Sequence, residues 1–421
     1  MNEMSRKGTV KVTRKTHMKT DGIHAFYASG RAYMGTTGEK LIELVTPEAL
    51  RWKTDDEGNR NLESFYAGGQ LRISEDNGVH WSDYGGKYYF DPENTEGEHL
   101  GAPTCFLDEK NDILIRLQLA KKADREAYGS VNQGTYRVYY SVSKDRGATW
   151  SDPVQIVDKR EGFDTERWGP GFEYGEVGGI CGSCIWMDDG SVGVPFTVYE
   201  RLVKNKPWYF LVVFARGYWK QDMSAMDWVF GERFEVPKDK SRIGCCEPSI
   251  TNLGNDVLFM VTRCQGSEEK GFYSAKYCGV STDRGTTWSA PELLKYEDGS
   301  TVWMPASCGR FYNSSKTGKT YLIANILDKP VFGQVPRYPL TIAEFDRENR
   351  CIVKESVQVI QDRPEGAHEK VRYTNFGMYE DRLTKNLIIT LPEQYRYMGW
   401  DEMEKPEDFA ADCIKYTVEL S

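Results

Sequence analysis

An eight-residue pattern, Ser-x-Asp-x-Gly-x-x-Trp, occurs three times: SEDNGVHW at 74–81, SKDRGATW at 143–150 and STDRGTTW at 281–288. The first two copies start 69 residues apart, the second and third 138 apart, which is two periods. A fixed period of this length means that one supersecondary unit is copied along the chain. The skipped position, near residue 212, falls in WYFLVVFARGYWKQDMSAMDW, again an apolar run, a polar turn and a tryptophan, Trp228. The next falls near residue 350 in LTIAEFDRENR, an apolar run that ends in a degenerate turn.

A second element recurs between the copies. Short polar turns stand at TTGEK (36–40), DEKND (108–112), MDDGS (187–191), LGNDV (253–257), SKTGK (315–319) and DRLTK (381–385). Strand-like runs such as ILIRLQLA, LFMVT, YLIANIL and NLIITL follow them, so each reads as a hairpin. Six hairpins, five of them followed by a third strand, a turn and a fourth, predict six four-stranded antiparallel units. The sixth has CIKYTVEL at the C-terminus as its third strand and takes TVKVTRK from the N-terminus as its fourth. That exchange closes a ring and hides the sheet edges. No long helical periodicity is present. The expected fold is all-β, a six-bladed β-propeller forming one domain over residues 1–421.

Within this frame the repeated motif is a turn between the third and fourth strands of a blade. The aspartate accepts hydrogen bonds from N–H groups of its own turn, glycine supplies a positive φ, and tryptophan packs between sheets. The motif thus reports the fold and sits away from the chemistry.

Composition narrows the function classes. Aromatic residues make up 13% of the chain, with 25 Tyr and 11 Trp, which suits β-sheet or sugar-facing surfaces. A net charge of −9 argues against nucleic acid as the main partner, and no apolar run approaches a membrane span. The N-terminal stretch lacks an apolar leader core, so the chain as written is expected in the cytoplasm, or secreted or periplasmic if a leader precedes it. Ten cysteines are present, several in strand-like runs where buried free thiols are expected. Cys181 and Cys184 form a Cys-x-x-Cys, but no second pair at zinc spacing accompanies them, and no metal or other cofactor is expected.

The motif is the Asp-box, or bacterial neuraminidase repeat, and the chain resembles the sialidase (neuraminidase) superfamily. The resemblance implies a retaining exo-glycosidase that removes terminal sialic acid or a related acidic sugar from glycans. It also implies a site with three arginines around the substrate carboxylate, a tyrosine nucleophile with a glutamate base, and an aspartate acid/base. The residue types make chemical sense. A sialic acid carries a carboxylate on its anomeric carbon, so a neutral phenol approaches it with less repulsion than a carboxylate nucleophile would. Guanidinium groups offer bidentate, charge-assisted hydrogen bonds to the acid.

The segment CCEPSITNLGNDVLFMVTR resembles the family's Glu-Pro-Ser segment, which implies Glu247 as the base and Arg263 as one arginine. VPRYPLTIAEFD implies Arg337 as another, and VRYTNFGMYEDRLTKNLIITLPE implies Tyr373 as nucleophile and Glu393 as an arginine-orienting carboxylate. The family's Arg-Ile-Pro opening is missing from the first blade, where YASGRAYMGTTGEK places Arg31 by position. The acid/base is expected on LRWKTDDEGNRNLES, with Asp56 favoured over Asp55 and Glu63, and with Arg51 as a further substrate contact. RWGPGFEYGEVGG resembles a channel-lining segment in which Trp168, Phe172 and Tyr174 would flank a sugar or pack in the core. Two other readings stay open: a hydrolase or lyase acting on a uronate-bearing glycan, and a non-catalytic carbohydrate-binding propeller. The partner expected in every case is an acidic or other glycan; oligomeric state is open.

Overall fold

Each of the six predicted polar turns joins the first two strands of an antiparallel sheet. The structure, a computed structural model, describes residues 10–54, 58, 60–66, 68–88, 98–101, 103–123, 134–159, 163–164, 169–170, 174–180, 184–200 and 209–421. Blade one comprises Ala25–Tyr33, Leu41–Thr54, Gly69–Ser74 and Ser82–Tyr88; blade four comprises Cys246–Asn252, Leu258–Arg263, Lys276–Ser281 and Glu292–Leu293. Blades two, three and five repeat that order, and the only helices among the described residues are three short 3-10 turns. The protein is an all-β, six-bladed propeller.

Blade six is assembled from both ends of the chain. Gly377–Glu380, Leu387–Pro392 and Cys413–Glu419 take Lys11–Met18 as the outer strand, with Lys11 opposite Glu419 and Thr16 opposite Ile414. The expected exchange of the N-terminal strand is therefore the one observed.

The apolar cores lie between blades. Ile113, Leu117, Val138 and Tyr140 of blade two pack on Val194, Phe196, Val213 and Trp228 of blade three. Phe259 and Val261 of blade four pack on Phe311, Leu322 and Phe345 of blade five. Each blade thus buries both faces, and its middle strands read as continuous apolar runs instead of strict alternation.

Strand direction sorts the molecule into two ends. Hairpins between strands one and two, and Asp-box turns between strands three and four, share one end. There Thr36 N–H donates to Asp112 of the next blade (2.6 Å), and Asn77 Nδ2 donates to Asp381 of blade six (2.9 Å). Loops between strands two and three, and the connections to the next blade, share the opposite end.

The Asp-boxes have the predicted internal bonding. In the third copy Ser281 Oγ donates to Asp283 (2.7 Å) and accepts from Gly285 N–H (2.7 Å), while Asp283 accepts from Thr287 N–H (2.9 Å). Gly285 has φ +79°, and a Cβ there would lie 2.2 Å from Phe214 of blade three, so glycine is needed for both conformation and space. Ser281→Ala leaves the buried Gly285 N–H without its acceptor. Chemical denaturation is expected to show a loss of about 1–3 kcal/mol, with binding at the far end unchanged.

Candidate active site

The end opposite the Asp-boxes gathers charge. Glu247 opens the inner strand of blade four with φ +47°, a costly conformation for a residue with a Cβ. Its N–H donates to Thr197 of blade three (3.0 Å), and its Oε1 accepts from Arg263 Nη1 (2.6 Å). Antiparallel pairing places Arg263, at the end of the second strand, opposite Cys246. Glu247 Oε2 and Arg263 Nε are buried and have no hydrogen-bond partner among the described residues, so the pair keeps unused hydrogen-bonding capacity.

Cations surround this pair. Arg337 is 4% exposed, and its guanidinium donates to the backbone oxygen of Gln334 (3.0 Å) and to its side-chain oxygen (2.7 Å). Burial, then repulsion from Arg372 and Arg263, pulls Arg337 down to about 10. Lys276, buried at the start of the third strand, donates to the Ser307 carbonyl; burial lowers its pKa against the opposing pull of Cys308 and Glu247. Burial alone would raise Glu247, but Arg263, Lys276 and Arg337 outweigh it and hold the carboxyl below its ordinary range. Glu247 is thus an ionised carboxylate among three cationic side chains, Arg263, Lys276 and Arg337.

Arg372 was not singled out by sequence. It pairs through the backbone with Arg337 and Gln394, and its guanidinium stands 4.3 Å from the ring centroid of Tyr395. A second carboxylate lies beyond it: Glu48 accepts from Tyr27 Oη (2.9 Å) and Gln394 Nε2 (2.9 Å). Burial and Glu48 push Tyr395 up to about 12 against Arg372 and Arg337. Blades four, five, six and one therefore contribute to one contiguous polar surface.

Two expected residues are elsewhere. Tyr373 is fully buried between blades five and six among Ile342, Ile389 and Tyr416, and its hydroxyl donates to Glu393 (2.8 Å), not to Glu247. Burial, then Glu393, raises its pKa well above that of a free phenol. Neighbouring residues of an extended segment point to opposite sides, so with Tyr373 in the core its neighbour Arg372 takes the channel side. Glu393 does orient arginines, but these are Arg14 (2.8 Å) and Arg396.

Arg31 is likewise enclosed. It is the seventh of nine residues in its strand, toward the Asp-box end, with a side chain 2% exposed. Nε donates to Glu43 (2.7 Å) and Nη1 to Thr390 of blade six (2.8 Å), while Arg72 and His17 of the closing strand complete the cluster. The guanidinium is thus committed to partners inside the cluster.

Arg51 lies on an extension of blade one, in register with Glu63 and 5.1 Å from the Phe65 ring centroid. Asp55, Asp56, Trp168, Phe172 and Cys181 lie outside the described residues, and of Glu63 and Tyr174 only the backbone is described. Among the described residues no group of three or more His, Cys, Asp or Glu side chains is placed to hold a metal.

Tyr373→Phe is expected to cost about 1–3 kcal/mol in denaturant unfolding, with any glycosidase activity kept within a fewfold. In the Arg31 cluster, burial favours neutral Glu43, yet Arg31, His17 and Arg72 hold it at about 2. Burial, aided by Arg31 and Arg72 and opposed by Glu43, keeps His17 below 6.5. Both groups bind fewer protons folded than unfolded. Their contributions are present at neutral pH, His17's falling away below 6.5 and Glu43's between about 4.5 and 2. Unfolding free energy followed from pH 8 to 3 is expected to hold level to about 6.5 and decline below it, and His17→Gln to flatten the upper part of that decline.

Comparison with known proteins agrees with the fold. Residues 86–366 match the family described as BNR repeat-like domain. A sialidase of Clostridium perfringens is 27% identical over 165 residues, 39% of this chain and 37% of that enzyme, so the match spans well under half its length. Among solved structures, a Hadza microbial sialidase superposes with a TM-score of 0.54 at 13% identity, covering 94% of this chain and 66% of that one. The α-L-arabinanase of Penicillium chrysogenum superposes with a TM-score of 0.51 at 12% identity, covering 98% of each chain. At such identities the structural likeness shows the propeller fold, and activities belong to the named proteins. With two thirds of its length inside the family's boundaries and three Asp-boxes on the blades' rim, the chain belongs to the BNR repeat-like family of sialidase-type propellers.

Proposed function

We propose that this protein is a glycosidase of sialidase type that acts on a terminal acidic sugar. The observation that carries the reading is the gathering of Arg263, Lys276 and Arg337 around the ionised Glu247, with Arg372 beside Arg337. Three guanidiniums and Lys276 are held together against mutual repulsion, an arrangement that gains most when an anion binds. A sugar carboxylate fits that role because it accepts from more than one arginine at once.

The chemistry needs a phenol paired with a carboxylate, and Tyr373 is sealed away from the channel end. Tyr27 with Glu48 supplies such a pair beside Arg372 and Tyr395. In this reading Tyr27 Oη attacks the anomeric carbon while its proton passes to Glu48. An acid on the blade-one hairpin, with Asp56 favoured, protonates the leaving oxygen. Water then cleaves the tyrosyl–sugar bond, and retention of configuration results. Glu247 orients Arg263 and stabilises positive charge developing on the sugar ring.

Hydrolysis of fluorogenic sialosides compared with uronides tests the substrate class. Arg263→Ala and Arg337→Ala are each expected to lower kcat/KM by about a hundredfold or more. Tyr27→Phe is expected to abolish turnover with binding kept. Binding of acidic sugars without any turnover would instead leave a carbohydrate-binding propeller, and turnover in Tyr27→Phe would remove Tyr27 from the mechanism.

A further inference from the structure

Beside the arginine cluster, three loops of the same end carry an aromatic group for which neither the fold nor the proposed chemistry has a use. Tyr273 lies between the second and third strands of blade four, Trp303 on the connection to blade five, and Phe332 between the second and third strands of blade five. Tyr273 stacks on Phe332, with ring centroids 4.4 Å apart and planes 25° apart, and meets Trp303 edge-on at 5.5 Å. Even so, Tyr273 stays 41% exposed.

The group is rigidly built. Ser274 N–H donates to Val331 (2.6 Å), Ser274 Oγ to Gly333 (3.0 Å), Ala306 N–H to Gly333 (2.9 Å) and Leu327 N–H to Trp303 (2.9 Å). Trp303 forms backbone bridges to Ala275 on one side and Leu327 on the other. A loop aromatic with no role would be freer, since ordering a side chain and its backbone costs conformational entropy. Here the backbone of three loops is fixed with the Tyr273 ring held at the surface.

Its position ties it to the charged site. Phe332 is two positions before Gln334, whose side-chain oxygen accepts from Arg337 Nη2, and Tyr273 is three positions before Lys276. Two residues span at most about 7 Å, so one oligosaccharide reaches from the arginines to the aromatic face. The rim is polar: Glu268, Glu269, Lys270, Asp328, Lys329 and Gln334 are exposed. A small flat apolar face inside a polar rim suits the C–H face of a pyranose, whose hydroxyls then meet the rim.

We propose that Tyr273, backed by Phe332 and Trp303, is a second sugar subsite that stacks a neutral hexose next to the acidic residue held by the arginines. The proposal rests on the reading that those arginines take a sugar carboxylate. The test is calorimetric titration with three probes: free N-acetylneuraminic acid, thio-linked 3′-sialyllactose, which resists hydrolysis, and lactose. The oligosaccharide is expected to bind about tenfold more tightly than the free acid. Tyr273→Ala should erase that advantage without changing the affinity for the free acid, and Tyr273→Phe should keep it. An oligosaccharide that binds no more tightly than the acid overturns the subsite, as does an advantage that survives Tyr273→Ala or an equal loss for both ligands. If the acid does not bind but lactose does in a Tyr273-dependent way, the charged-site reading fails and the subsite stands. No binding of any probe removes both.

Discussion

A ring of blades is held shut when the first and last strands of the chain share one blade. Pairing of Lys11–Met18 with Cys413–Glu419 meets that condition, and the rest of the molecule is organised around it. At the seam the closing strand brings His17 to Glu43 and Arg31, which reaches on to Thr390. These groups are buried, so each is tolerable only while the others are in place. The seam therefore adds a charged cluster to its apolar contacts among Ala28, Val45, Cys413 and Met18.

Closure also decides where chemistry is possible. The Asp-box end is tied together by hydrogen bonds within and between turns, leaving little freedom to vary. The opposite end consists of loops and strand termini projecting past the sheets, where side chains from several blades meet without disturbing the interblade cores. Strain is found there too, as the positive φ of Glu247 and Tyr395 shows. Arg337 held at about 10 shows the electrostatic side of the same arrangement: cations gathered by the scaffold against their mutual repulsion.

Much of the site was legible in the sequence where a residue's place followed from the strand frame. Glu247 and Arg263 lie sixteen residues apart across one hairpin, and pairing of their two strands brings their ends together. Arg337 precedes the third strand of blade five and faces the same end. Tyr373 shows the limit of that reasoning, because neighbouring residues of one segment face opposite sides. Val371 and Tyr373 turn into the core while Arg372 turns outward. Arg31 failed for a related reason. It lies four residues farther along its strand than Tyr27, and there the neighbours are Glu43 and Thr390.

The sequence by itself determined the number of blades, the position of every hairpin and the exchange of the terminal strand. Those features depend on local turn chemistry and on periodicity, both written in consecutive residues. Only the tertiary structure decided which side of each strand end faces the channel and which charged groups pair across blades. Packing between residues hundreds of positions apart governs that choice: Arg31 with Thr390, Tyr27 with Gln394, Arg14 with Glu393. Local sequence carries no record of which of two alternating faces will be closed by another blade.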